Sequence, residues 1–373
     1  DIETMADVLR ELGAVVKWET PHTLTIDARG VSRVVAPYDL VRRMRASIYV
    51  LGPLLARLGR AEVSLPGGCA FGPRPVDLHI KAMRELGAGI DVKGGYILAR
   101  AAGLRGREID LTGSSGPSRG ATANLMMAAT LAEGETVIHG AALEPETVDL
   151  AHFLTAMGAE IQGPGPSRVV VRGVTALRPC TYKVMYDQIE AATYLIGAAM
   201  TGGDVAVKGA DATYLSLLLT KLRDAGADAE TTATGIRVQG HVPSRPFELK
   251  TGPYPEFPTD LQPQMMALAT IADGKSLIQE GIYPDRFNHA PELVRLGANI
   301  DVKEPTAVVN GVHRLYGAYV MASDLRAGAA LVLAGLVAEG ETHVRRVYHI
   351  DRGYENMEGK LGALGARIRR VEE

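Results

Sequence analysis

Apolar positions along this chain alternate between two rhythms. In "ATANLMMAATLAEGETVIHG" (121–140) they recur at helical spacing, stop at Gly134, and resume as a β-prone run. "DLQPQMMALATIADGKSLIQEG" (260–281) and "DLRAGAALVLAGLVAEGETHVRR" (324–346) follow the same order. Each predicts a helix, a turn and a strand. A second pattern, seen in "MRELGAGIDV" (83–92) and "VRLGANIDV" (294–302), predicts a helix stopped at a glycine and a strand directly after it.

The two patterns belong to one repeated unit. Its signature recurs as "ELGAVV", "ELGAGI", "AMGAEI", "DAGADA", "RLGANI" and "ALGARI", with the glycines at Gly13, Gly87, Gly158, Gly226, Gly297 and Gly365. Successive gaps are 74, 71, 68, 71 and 68 residues. A period held across the whole chain marks a repeat architecture. The expected fold is α/β, with six βαβαββ-type repeats, three per domain. The midpoint falls in "RPCTYKVMYD" (178–187), which predicts a first domain over 1–184 and a second over 185–373. The first signature comes after only 12 residues, whereas the first helix of the third unit opens 37 residues before Gly158. The first repeat is therefore expected to be truncated.

Bulk properties narrow the function. A chain of 373 residues is long for one core, and two domains are the natural expectation. The net charge of −3 gives no sign of a nucleic-acid or membrane-surface binder. The apolar run 327–338 is too short to span a bilayer and reads as a buried helix. Cys69 and Cys180 do not make a disulfide framework, which fits a reducing, cytoplasmic setting. The nine histidines lack zinc-ligand spacing, so neither a metal nor another cofactor is expected.

Cys69 lies in "GGCAFGPRPVDLH" (67–79), a Gly/Pro-dense loop with Arg74 five residues on. An electropositive loop favours thiolate chemistry. Gly67, Gly68 and Gly72 would let the loop, 66–76, act as a lid. The first helices of the units open on residues suited to capping: Asp39, Ser118, Asp187, Thr259 or Asp260, and Ser323 or Asp324. Arg74, Arg286 and Arg352 fall at the openings of second helices, and Arg45 and Arg326 in the first turns of first helices. A lone exposed arginine is usually a solvated charge. Five at helix starts of one repeated unit point to an anionic substrate carrying phosphate or carboxylate groups. Asp260 reads either as a helix cap or as a general base for a hydroxyl. Asp77, Asp324 and Asp351 are weaker candidates for that role. His79 reads as structural, and Cys180 as incidental.

With these residues in place, the chain resembles the enolpyruvyl transferases, and within them the branch acting on UDP-N-acetylglucosamine. The stretches that carry the resemblance include "SLPGGCAFGPRPVDLH", "FPTDLQPQ", "DRFNHAPELVRLGA", "MASDLRAGAALVLAGLVAEGETHV" and "YHIDRGYENMEGKLGALGA", and together they span nearly the whole chain. The resemblance implies a two-domain inside-out α/β barrel with the active site between the domains. It implies transfer of the enolpyruvyl group of phosphoenolpyruvate to the 3′-hydroxyl of UDP-N-acetylglucosamine, the first committed step of peptidoglycan synthesis, by a cytoplasmic monomer. Cys69 matches the family's proton donor and fosfomycin target, and Asp260 its base. Arg74 and Arg352 match residues that hold the donor's phosphate and carboxylate. Arg45, the run Arg74, Pro75, Val76, Asp77 and Leu78, and Ile282 match sugar-nucleotide contacts, while Arg286, Asp324 and Arg326 match supporting residues. The chain departs from the family at Arg119, Gln188 and Ala192, and the family's N-terminal lysine–asparagine pair has no counterpart. The rival readings are a shikimate-3-phosphate enolpyruvyl transferase, against which the cysteine loop argues, and a non-catalytic UDP-sugar-binding homologue.

Overall fold

The computed structural model describes residues 1–65, 76–113, 116–165 and 167–371. The chain divides into two compact units, Asp1–Met185 and Tyr186–Glu373. Each has its own apolar core.

The second, third and fifth repeats are complete and share one topology. In the second, strand Val35–Ala36 leads through helix Leu51–Leu58 to a parallel strand, Arg60–Ser64. Helix Asp77–Glu85 then leads to the hairpin Gly89–Lys93 and Tyr96–Arg100, whose last strand pairs antiparallel with Arg60–Ser64. Numbered within the repeat, the sheet order is 1-2-4-3, and the third and fifth repeats keep it. Right-handed crossovers favour this arrangement, because each helix packs back over the sheet it connects.

The other repeats depart from this plan. The first has helix Ile2–Glu11 and the hairpin Val15–Thr20 with Thr23–Asp27. The fourth sheet has three strands, with no strand assigned between Gly173 and Asp187. The sixth has two short parallel pairs, Leu315–Tyr316 with Ala338–Glu339 and Tyr319–Met321 with His343–Arg345.

All six signature glycines do the same backbone work. Their φ values lie between +95° and +102°. In every copy the glycine N–H bonds the carbonyl three residues back and the next N–H the carbonyl five back, as Gly87 to Arg84 and Ala88 to Met83 show. This is a Schellman stop, and its left-handed residue favours glycine. The chain then returns to the same helix end. The N–H groups of Arg33, Arg105, Arg178, Arg245 and Tyr316 donate to the carbonyls of Leu12, Leu86, Met157, Ala225 and Leu296, at 2.7–3.2 Å. Four of the five are arginines, whose charge suits a helix C-terminus.

Helices Gln188–Thr201, Gln262–Ala269 and Leu325–Val337 pack against one another in the second unit and are largely buried. The apolar run 327–338 is thus a core helix, except that Ala338 opens a strand. No helix among the described residues is long and apolar enough to cross a membrane. In the first unit Gly52 lets helix Leu51–Leu58 approach Arg119–Ala129 closely. A Cβ there would lie 2.5 Å from Asn124 Oδ1, which accepts from the Gly52 N–H at 2.7 Å.

The capping expectations divide. Ser118, Asp187 and Asp324 cap their helices through the side chain. Asp39 does not. The helix Tyr38–Val41 starts after Pro37 and ends within one turn. Met44 then turns extended to bury its side chain, and the chain resumes as a 3₁₀ turn, Arg45–Val50, before helix Leu51–Leu58. The first helix expected to open at Asp39 is therefore three pieces.

Candidate active site

Asp260 is the centre of a charged cluster in the second unit. It lies in a 3₁₀ turn, Thr259–Leu261, that feeds helix Gln262–Ala269. Pro258 precedes the turn and Pro263 sits in the first helical turn, so backbone freedom is limited on both sides. Neither Thr259 nor Asp260 caps the helix. Arg286 Nη1 donates to Asp260 Oδ1 at 2.8 Å and to Thr259 Oγ1 at 2.9 Å. Arg326 Nη2 donates to Asp260 Oδ2 at 3.4 Å. Two guanidinium groups thus hold one carboxylate, each on its own oxygen.

The clamp is itself held from beneath. Glu280, 1% exposed, accepts through Oε2 from Thr259 Oγ1 at 2.9 Å. Through Oε1 it accepts from Thr251 Oγ1 and from the N–H groups of Ile282 and Tyr283, at 2.6, 2.9 and 3.1 Å. One buried carboxylate therefore fixes both the turn that carries Asp260 and the loop that carries Ile282. Gln262 Nε2 donates to the carbonyl of Arg286 at 3.2 Å, which ties that loop to the helix. Arg286 lies in the loop before helix Ala290–Arg295 rather than at the helix opening.

Asp324 Oδ1 accepts from the N–H groups of Arg326 and Ala327, which places Arg326 in the first helical turn. Burial opposes the charge on Arg326, but Asp260, Tyr354 and Asp187 outweigh it and raise its pKa. His289 is fully buried and pushed down to about 3, chiefly by burial, although nearby Asp324 acts the other way. Arg352 ends the 3₁₀ turn Val347–Arg352 and is half-buried. His349 is lowered by burial and then by Arg352, while Asp324 raises it, so all three share one neighbourhood. Asp351, by contrast, faces solvent and pairs with Arg370 at 2.6 Å.

The first unit carries a second cluster around the N-terminus of helix Arg119–Ala129. His79 is buried, and its Nδ1 lies 3.1 Å from Asn124 Nδ2. The amide nitrogen can only donate, so Nδ1 accepts and the ring proton sits on Nε2. The His79 pKa falls to about 4, through burial first and Arg45 second, with Asp77 opposing. Arg45 opens its 3₁₀ turn half-buried, and Asp77 is exposed in the first turn of its helix. Val76 occupies the N-cap position of that helix. Leu78 packs close to Gly113, where a Cβ would lie 3.0 Å from Leu78 Cδ1. Arg119 donates to Glu146 at 2.6 Å and lies 3.7 Å from Glu144. Gln188 begins helix Gln188–Thr201, and Ala192 is fully buried in it.

Cys69, Arg74 and Pro75, with Gly67, Gly68 and Gly72, lie outside the described residues. Of the expected site residues in the second unit, the structure joins Asp260, Arg286 and Arg326 directly, and Ile282 through Glu280. Sequence reasoning did not single out Glu280, Tyr354, Thr193 or Gln264. The only available signal was a charged residue closing an apolar strand, "SLIQEG". Among the described residues no group of acidic, histidine or cysteine side chains could hold a metal.

The class to which this repeated α/β unit and its half-buried carboxylate clamp belong is given by comparison with known proteins. The sequence model of a family described as EPSP synthase (3-phosphoshikimate 1-carboxyvinyltransferase) matches residues 1–361. The chain belongs to this family of enolpyruvyl transferases. It is 52% identical to the UDP-N-acetylglucosamine 1-carboxyvinyltransferase of Methylacidiphilum infernorum and 50% identical to that of Dichelobacter nodosus. Each match covers 100% of this chain and 88% of the relative. The enolpyruvyl transferase NikO from Streptomyces tendae superposes with a TM-score of 0.88 at 28% identity, covering 98% of this chain and 87% of NikO. An EPSP synthase from Acinetobacter baumannii shares the fold, with a TM-score of 0.73 at 19% identity over 99% of this chain and 89% of that one.

Proposed function

We propose that this chain transfers the enolpyruvyl group of phosphoenolpyruvate to the 3′-hydroxyl of UDP-N-acetylglucosamine, releasing phosphate. The observation that carries the reading is the Asp260 carboxylate clamped by Arg286 and Arg326. The names of relatives near 50% identity supply the choice of acceptor. In this reading Asp260 faces the acceptor hydroxyl and takes its proton as the oxygen attacks C2 of phosphoenolpyruvate. The Cys69 thiol protonates the methylene carbon. Bond formation at C2 with protonation at C3 gives a tetrahedral ketal. Loss of a methyl proton then restores the double bond as the C–O bond to phosphate breaks. Arg74 and Arg352 hold the donor's phosphate and carboxylate, a task suited to bidentate guanidinium groups. We assign Arg45, Pro75, Val76, Asp77, Leu78 and Ile282 to recognition of the sugar nucleotide, and Asp324 to keeping Arg326 in place.

This chemistry places the protein at the first committed step of peptidoglycan synthesis, and so in cell-wall biogenesis, cell shape and division. We place it in the cytoplasm, as a monomer, with Cys69 as the residue fosfomycin would alkylate. The test mixes the protein with phosphoenolpyruvate and UDP-N-acetylglucosamine and measures inorganic phosphate, with Cys69→Ala as control. Release that needs both substrates and Cys69 supports the reading. Release with shikimate 3-phosphate instead would move the protein to the rival branch of the family. Binding of the UDP-sugar without release from either acceptor would make it a non-catalytic homologue.

A further inference from the structure

We propose that Tyr354 is a positioning residue that sets the Asp260 carboxylate by orienting Arg326. Tyr354 is 1% exposed, and its hydroxyl meets side chains from three helices, Gln188–Thr201, Gln262–Ala269 and Leu325–Val337. Arg326 Nη1 donates to it at 3.3 Å, and Gln264 Nε2 lies 3.4 Å away. Thr193 Oγ1 lies at 2.8 Å.

The protons can be assigned. Thr193 Oγ1 already donates its one proton to the carbonyl of Ile189 at 2.8 Å and accepts from Gln264 Nε2 at 3.2 Å. The tyrosine must therefore donate to Thr193, which leaves its oxygen lone pairs for Arg326 and Gln264. Burial raises the Tyr354 pKa, which keeps that proton in place at neutral pH. The result is a one-way relay. Asp260 accepts from Arg326, Arg326 donates to Tyr354, Tyr354 to Thr193, and Thr193 to the backbone of a core helix. The ring adds a second restraint, since the guanidinium carbon of Arg326 lies 5.6 Å from its centroid. Arg326 carries two terminal nitrogens, and the relay spends one on Tyr354 and the other on Asp260. Without the tyrosine hydroxyl the guanidinium could rotate about its stem, and the Asp260 oxygen would move with it. Tyr354 also follows Arg352 by two residues, so the segment assigned to the donor and the carboxylate assigned to the acceptor share one anchor.

The inference rests on the reading of Asp260 as the group that receives the acceptor proton. The experiment compares Tyr354→Phe, Arg326→Lys, the double variant and Asp260→Asn in the full chain by steady-state phosphate release. Tyr354→Phe is expected to lower kcat about 10- to 100-fold, with the KM for the UDP-sugar changed less than about threefold, because misplacement acts on the reacting geometry. It should add little to Arg326→Lys, since both act through one guanidinium. Full additivity of the two, or a loss confined to KM, would overturn the proposal. Should Tyr354→Phe fold poorly by thermal unfolding, Thr193→Val interrupts the same relay and must reproduce the kcat loss. Asp260→Asn separates the two layers. If it is inactive while Tyr354→Phe matches the parent, the positioning role fails alone. If Asp260→Asn is fully active, the reading of the site fails.

Discussion

Asp260 and Arg286 meet at 2.8 Å, with the arginine side chain 5% exposed and the aspartate 25%. Removing one partner of so buried a pair leaves a charge without its counterion, a loss of about 3–5 kcal/mol in comparable cases. Asp260 keeps Arg326 and some contact with solvent, which puts Arg286→Ala at the low end, about 3 kcal/mol. Urea unfolding of the variant against the parent measures it.

Asp260→Asn keeps the shape and removes the charge. A positioned base contributes about 10²–10⁴-fold to a rate, so phosphate release should fall by about that factor. The same variant removes the negative partner of two arginines. It should therefore also lose stability, read by the same urea experiment.

The two repeat signals differ in how far sequence reveals them. The signature glycines were legible because a left-handed backbone at a helix end nearly dictates the residue, and all six show it. The returning N–H of Arg33, Arg105, Arg178 and Arg245 was not legible, because a backbone donor places no demand on its side chain. Tyr316 makes the same bond. Asp260 stood out because it follows two prolines in "PEFPTDLQ" and sits where a helix was expected to start. Glu280 and Tyr354 did not, since their partners sit in other elements, Thr259 for one and Arg326, Gln264 and Thr193 for the other. Cap reading worked where the carboxylate had no better partner, as at Asp187. It failed at Asp260, where two guanidinium groups take the oxygens.

That contrast gives a paired test. Asp187 bonds two helix N–H groups, whereas Asp39 makes no capping bond. Asp187→Ala should cost about 1 kcal/mol, and Asp39→Ala should lie within about 0.5 kcal/mol of the parent. Equal losses by urea unfolding would contradict the cap assignment.

The six equivalent glycines separate backbone strain from crowding. At Gly87, with φ +100°, a Cβ would meet nothing within 4 Å, so Gly87→Ala isolates the cost of the left-handed backbone, about 1–2 kcal/mol. At Gly13, with φ +102°, the Cβ would lie 2.9 Å from the carbonyl oxygen of Gly30. Gly13→Ala should therefore lose more stability than Gly87→Ala in the same unit, a ranking that thermal unfolding reads directly.

His79 predicts the direction of the first unit's acid response. Burial and Arg45 lower its pKa to about 4 in the folded chain, against about 6.5 when unfolded. The folded state therefore favours the neutral ring. That contribution is complete above pH 6.5 and is lost as pH falls from 6.5 towards 4, because the unfolded chain takes up the proton first. By linkage the loss between pH 7.5 and 5 is about 2 kcal/mol from this residue. His289, lowered to about 3, pulls the second unit the same way. Comparing the parent with His79→Asn isolates the first contribution. The variant is expected to be less stable at pH 7.5, where Asn124 loses its ring acceptor, and to have the shallower dependence on pH. A variant as steep as the parent would mean that His79 does not drive the acid response.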